Sequence, residues 1–425
     1  MRLGGLRRSA IVLVFSLVAA GVAPASATEP AAPQPADPDR AHFTVGEELA
    51  KTVTVVTGVP ISPLLGVSAL GAFRWFRTAE PQRAALPWYA QPWFWGSGLA
   101  LVFLFFANTT IGGLIPGLKK PMDFVEEHEN KLSALLATPI VLLEGQRLLA
   151  ASGLLAALPA AGGAGAPLSS AGLASLVVAG NVDAWVAPLV KLGLGVLSIA
   201  CFVVVFLAFH AIQVLIALSP SAVLDMVLRT FRTSTMVVVA GTAGLDPYLG
   251  AAVGLSILLV AWFVAGWSFR LTVYGSVLSW DFLAGRDGGA DPATAPLAAF
   301  AAKGLKGVPP RSYGRLEPAP AGGWRFRWRP WLILPARAID LGTGARLALR
   351  RGAISPTLFA SGVVREPTYV RFPPRFRGRE EGLAQRLGAA EVRDGRIVRG
   401  VKAAWAWLKE LILGAEPAET PAGSG

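Results

Sequence analysis

The sequence predicts a mainly α-helical, polytopic transmembrane bundle with a small β-rich domain appended at its C-terminal end. Three observations predict it. Uninterrupted apolar runs over residues 93–115, 192–218 and 249–269 each reach or exceed the roughly 20 residues a helix needs to cross a ~30 Å hydrocarbon core. Hydrophobic residues make up 53% of the 425 and charged residues 16%, against roughly 45–50% and 25% in soluble domains. The charge is also unevenly divided: residues 1–285 hold 16 Lys+Arg against 15 Asp+Glu, and residues 286–425 hold 23 against 12. Such asymmetry points to a membrane part and a basic part that meets an anionic surface.

Residues 1–27 read as a signal peptide. Arg2, Arg7 and Arg8 form a positive start, residues 9–23 are apolar, and Ala25-Ser26-Ala27 is an A-x-A cleavage site. The mature N-terminus is then periplasmic, and residues 28–50, which open Pro-, Ala- and Asp-rich, form an extracytoplasmic leader.

The transmembrane domain is expected over residues 51–284. Four weaker segments lie among the strong runs: 52–73, broken by Gly58, Pro60, Pro63 and Gly66; 132–149, which meets Glu144, Gln146 and Arg147; 154–190, with a Gly/Pro-rich entry; and 223–244, with Asp225, Arg229 and Arg232 at its start. If all seven cross, inside loops carry Arg74, Arg77, Arg83, Arg147, Arg229, Arg232 and Arg270, and outside loops carry Lys51, Lys119, Lys120, Lys131 and Lys191. The excess of basic residues inside favours this orientation. Seven spans are expected, with five if segments 52–73 and 223–244 are re-entrant or interfacial. The C-terminal domain is then cytoplasmic and the protein lies in the bacterial inner membrane.

Residues 285–323, rich in Pro, Gly and Ala, read as a linker. From Trp324 the pattern changes: Trp324, Phe326 and Trp328 alternate with Arg325, Arg327 and Arg329, the period-2 signature of a half-buried strand. Further strands are expected over 331–334, 345–349, 357–360 and 369–372, making residues 324–414 a basic antiparallel β domain. It ends in a helical stripe over 398–413 (Val398, Val401, Trp405, Leu408, Ile412). Residues 415–425 form a disordered tail.

Ionisable and polar groups in apolar segments are the candidate sites, because burying them is costly and they line paths or pair. His210 and Gln213 share a face of one strong run, as a polar path or as an interhelical hydrogen bond. Glu144 with Arg147, and Asp225 with Arg229, are spaced to pair locally. The run Asp123, Glu126, Glu127, His128, Glu129 has no second His at ligand spacing and reads as a solvated extracytoplasmic face. Gly250 and Gly254 form a small-xxx-small packing pair. Cys201 reads as a small buried hydrophobe. No nucleophile-and-base arrangement, phosphate-cradling loop or zinc spacing is recognisable, so no enzyme activity, metal or cofactor is expected.

A shift of 102 residues lays Asp123 on Asp225 and Asn108 on His210. In the seven-span count the two copies run in opposite directions, each behind a Gly/Pro-broken segment, as in inverted-repeat transporters. Residues 60–66, Asn108, His210 and Asp225 are therefore expected to approach one centre. Arg325, Arg327 and Arg329 are candidates for contact with anionic lipid headgroups or a cytoplasmic protein partner; no nucleic acid is expected.

Three stretches resemble a family of small bacterial integral membrane proteins, domain of unknown function 4126. They are GVSALGAFRWF (66–76), PWFWGSGLALVFLFFANTTIGGLIPGLKKPMDF (92–124) and AFHAIQVLIALSP (208–220). The resemblance covers about half of the chain and implies a membrane fold with no established activity. The expected function is permease-like transport of a small solute or lipid, or else a membrane-embedded scaffold or envelope-assembly factor working through its basic domain. A transporter should hold His210 or Asp225 in a polar cavity, and a scaffold should be a sealed bundle.

Overall fold

The segment read as Gly/Pro-broken is broken in three dimensions. In the computed structural model, which describes residues 38–111, 119–151, 182–219, 222–284 and 291–394 apart from 294–295, 321, 342–345, 353 and 363–365, helix α1 (Pro38–Gly58) ends in a 3-10 turn at Val59–Ile61. The chain restarts as α2 (Pro63–Arg77). Pro60 and Pro63 lack the N–H that would continue the ladder, and each stands at the start of a new turn. The 3-10 turn is wholly buried, so its carbonyls need partners other than water. Arg232 supplies one, its Nε donating to the Ile61 carbonyl and its Nη2 to Ser62 Oγ, both at 3.2 Å. At Gly66 a Cβ would lie 2.9 Å from Val59 Cα, so only glycine lets the chain fold back this closely.

Helices α3 (Pro92–Ile111), α4 (Lys119–Ala151), α5 (Val182–Leu218), α6 (Ala222–Leu245) and α7 (Pro247–Leu283) follow. The chain is thus mainly helical, with a C-terminal sheet domain. Among the described residues two helices are long and apolar enough to cross a membrane, Gly195–Leu218 within α5 and Pro247–Leu283; Leu49–Ile61 and Pro92–Phe105 are apolar but shorter. Residues 38–50, expected in the leader, belong to α1. The signal peptide, the 398–413 stripe and the 415–425 tail lie outside the described residues.

The contacts form two units. The first comprises Met1–Pro116, Glu129–Phe209 and Thr230–Phe263. Its core gathers Val56, Val59, Val67, Tyr89, Ala137, Ile140 and Phe202. Small residues set its close approaches: a Cβ on Gly254 would collide with Thr57 Oγ1, and one on Gly250 would lie 2.7 Å from Ala243 Cα. The Gly250/Gly254 pair is therefore helix packing, as its spacing predicts.

The second unit comprises Gly117–His128, His210–Arg229 and Val264–Gly425. At 1.5 Å per residue, α7 is about 55 Å long, well beyond the ~30 Å hydrocarbon core. Its last third is an extension past Arg270. There Leu271, Tyr274 and Leu278 pack with Ala211, Val214 and Leu215 of α5 and with Phe300. Gly275 lies so close to Val214 that a Cβ would overlap it.

The sheet has eight strands: β1 (Ala298–Ala301), β2 (Tyr313–Pro318), β3 (Trp324–Trp328), β4 (Arg337–Asp340), β5 (Arg346–Arg351), β6 (Thr357–Ser361), β7 (Thr368–Arg371) and β8 (Val392–Asp394). The order is β4-β3-β2-β1-β7-β6-β5-β8, antiparallel throughout except for the parallel β5–β8 edge. Phe326, Leu349, Leu358, Val370, Phe372, Phe376 and Leu383 form its core. A short helix, α8 (Glu380–Leu387), covers one end and stops at Gly388 with φ 64°, the left-handed cap that glycine adopts at least cost. Trp324 Nε1 donates to the Leu387 carbonyl at 2.9 Å.

Two expectations are corrected here. The sheet begins at Ala298 and includes Tyr313–Pro318, inside the stretch read as linker, because β1 is buried along its whole length and lacks a polar alternation. Residues 331–334 are not a strand: Pro330–Leu332 is a 3-10 turn, and Trp331 and Leu332 have φ of 54° and 62°, which no strand admits.

Candidate functional site

Three helix ends that lie in the second unit bring ionisable side chains together. Asp123, Glu126 and Glu127 stand in the first turns of α4, His210 and Gln213 near the end of α5, and Asp225 and Arg229 at the start of α6. Spacings of three and four residues place each set on one helix face. His210, Gln213 and Glu127 are 0% exposed, Asp123 1% and Asp225 3%.

Arg229 organises the acids. Its Nη2 donates to Asp123 Oδ1 at 2.8 Å and its Nη1 to Glu126 Oε2 at 3.0 Å. His210 Nε2 lies 3.9 Å from Glu127 Oε1, beyond hydrogen-bond length. Aromatic rings close the rim, with Phe124 against Phe282 at 4.8 Å and His128 against Trp280 at 6.1 Å. Arg229 thus bridges two carboxylates of α4, and a third, Glu127, faces the imidazole of α5. No three His, Cys, Asp or Glu among the described residues are placed to hold a metal ion.

The residues read from sequence fare differently. His210, Gln213 and Asp225 are buried together in this unit. The side chains of Asn108 and Glu144 lie outside the described residues, and with them the expected convergence on Asn108 and the Glu144–Arg147 pair. Two readings are overturned. The acidic run is not a solvated face, since Asp123 and Glu127 are buried. Arg229 turns to Asp123 and Glu126 on another helix.

The missed acids did carry a signal. Asp123, Glu127, Asn130, Ala134, Ala137 and Val141 recur every three or four residues and are buried, while Leu132, Leu135 and Leu136 on the other side are 53–71% exposed. That is amphipathicity of reversed sense, polar inward and leucine outward.

The basic stripe of β3 is largely neutralised. Arg325 binds Asp340 of β4 through two bonds, at 2.6 and 3.1 Å, and Arg327 lies 3.8 Å from Glu317 of β2. The Arg325 hydrogen bond holds the Asp340 carboxyl below its ordinary value. Arg329, past the end of β3, lines a cleft instead.

Comparison of the chain with protein families, with curated proteins and with solved structures returned no match.

Proposed function

We propose that this chain is a multi-pass inner-membrane permease whose transport step is coupled to protonation of the cluster formed by Asp123, Glu127, His210, Asp225 and Arg229. The observation that carries the reading is the gathering of acids and an imidazole at near-zero exposure on three helix ends, the Asp/Glu/His composition that marks proton relays in membrane transporters. The broken α1–α2 turn, with Arg232 on its carbonyl, supports a permease architecture, because interrupted helices accompany binding sites in such proteins.

In place of seven spans, we read α3 to α7 as five crossings, with the helix pair α1–α2 re-entrant from the periplasmic side. Asp123, His210 and Arg229 then all stand near cytoplasmic helix ends, and the sheet domain is cytoplasmic. The sealed state of His210 and Asp225 favours the second reading, a membrane-embedded scaffold acting through its sheet domain.

Vesicles of phosphatidylethanolamine and phosphatidylglycerol, carrying the protein and an internal pH dye, separate the two. After an external acid pulse the permease reading expects faster internal acidification than in empty vesicles. Glu127→Gln and His210→Ala should lower that rate at least tenfold while insertion stays unchanged. Acidification equal to that of empty vesicles would leave the scaffold.

A further inference from the structure

A cleft of about 260 Å³ lies within the second unit, between α7 and the loops of the sheet domain. Arg270, Arg311, Arg329 and Arg337 line it together with Trp328 and Trp331, and no carboxylate does. Concentrated positive charge without a lining acid is a site for an anion, and the guanidinium fork suits phosphate.

The backbone is also unusual here. Arg311, Trp331 and Leu332, at φ of 64°, 54° and 62°, are the described non-glycine residues with positive φ, and all three line the cleft. Such conformations cost free energy and collect at ligand sites. Arg270 Nε is anchored on the Pro310 carbonyl at 3.1 Å.

The cleft's surroundings point to the anion's source. Trp331 packs on Phe269 of α7 at 4.7 Å, and the tip beside it is apolar and open, with Leu332 44%, Ile333 84% and Leu334 45% exposed. On α7, Leu259, Val260, Trp262 and Phe263 are likewise exposed, about two to three turns before Arg270. An apolar tip, tryptophans and arginines at the end of a membrane-crossing run are the composition of the headgroup boundary. We propose that this cleft binds the phosphate of an anionic phospholipid headgroup, with the 331–334 tip inserted among the acyl chains. The volume is below that of drug-sized pockets and suits a small headgroup. The proposal rests on α7 crossing the membrane and is independent of proton coupling.

The test uses the full-length protein in nanodiscs. Quenching of Trp331, isolated by subtracting the Trp331→Phe signal, is followed as brominated phosphatidylglycerol or brominated phosphatidylcholine is added. The expected result is preferential quenching by phosphatidylglycerol, weakened about fivefold for each of Arg329→Gln and Arg337→Gln. Arg327→Gln, outside the cleft, should behave as wild type and Ile333→Glu should reduce quenching by either lipid. Equal quenching by both lipids in the wild type, or an equal loss in Arg327→Gln, would overturn the proposal. Complete competition by millimolar inorganic phosphate would make free phosphate the ligand and overturn the lipid assignment.

Discussion

Arg229 and Asp123, more than a hundred positions apart in sequence, are joined by a 2.8 Å ion pair in which the carboxylate is almost fully enclosed. The pair ties the start of α6 to the start of α4, and with Glu126 as second acceptor it accounts for both terminal nitrogens of the guanidinium. Removing one member of a buried pair leaves a charge that neither water nor protein solvates. Arg229→Ala should therefore destabilise the folded protein by about 3–5 kcal/mol. The triple replacement Asp123→Asn, Glu126→Gln, Arg229→Gln should recover part of that loss. Thermal unfolding in detergent, read by tryptophan fluorescence, measures both.

The proposed five-crossing topology makes a prediction about sidedness. Reporter fusions at Pro121 and Gly322 should report the same compartment, because Glu127 faces His210 and the α5 segment after His210 packs with Phe300 of the sheet domain. Opposite signals from the two junctions would break the link between the acidic run and the α5–α7 bundle.

A second buried pair clamps the sheet domain to the α7 extension. Asp281, 0% exposed, receives Arg375 at 2.7 Å through Nη2 and at 2.9 Å through Nε. Tyr274 OH lies 3.2 Å from Arg371 Nη1 one strand away. Asp281→Ala should cost about 3 kcal/mol and expose the segment after Leu283 to limited proteolysis, while leaving lipid quenching of Trp331 in place.

Ion pairs at the exposed margin of the sheet give a pH signature. The Arg325 hydrogen bond holds Asp340 below its ordinary 3.8. Its own backbone N–H, and then Arg351, hold Glu381 below its ordinary 4.5. Carboxyls lowered on folding stabilise fully above their unfolded values, and that contribution disappears as pH falls through the folded ones. Relative to Asp340→Asn, Glu381→Gln, the wild type should therefore melt slightly higher at pH 7. The gap should close on acidification below about pH 4; being fully exposed, these pairs contribute little. A gap unchanged at pH 3 would assign the difference to packing.

Strand β3 was legible because Phe326 and Trp328 alternate with Arg325 and Arg327, and the structure buries the aromatics and leaves Arg327 exposed. Strands β5, β6 and β7 fell near their expected places because each is a short run set off by Pro or Gly. Strand β1 was illegible: Ala298–Ala301 is covered on both faces, so no alternation marks it, and its alanines look like linker. Strand β4 is a mostly exposed edge that carries Arg337 and Asp340, with too little apolar character to register. At the site, His210, Gln213 and Asp225 were visible as polar residues in apolar runs. Asp123 and Glu127 were hidden because carboxylates next to an apolar run were taken to face water, whereas they turn inward onto Arg229 and His210. Which helix Arg229 would choose depends on tertiary packing that no local spacing encodes.

The position of β1 has a consequence for biosynthesis. Its partners are β2 on one side and β7 on the other, with Ala301 aligned to Val370. A ribosome emits β1 well before β7 exists, so the middle of the sheet stays open while the helices upstream are already complete. A half-made domain with an unpaired apolar ribbon invites misassociation. Truncation between β2 and β7 should thus yield a chain that enters the bilayer yet depends on chaperones for its soluble portion.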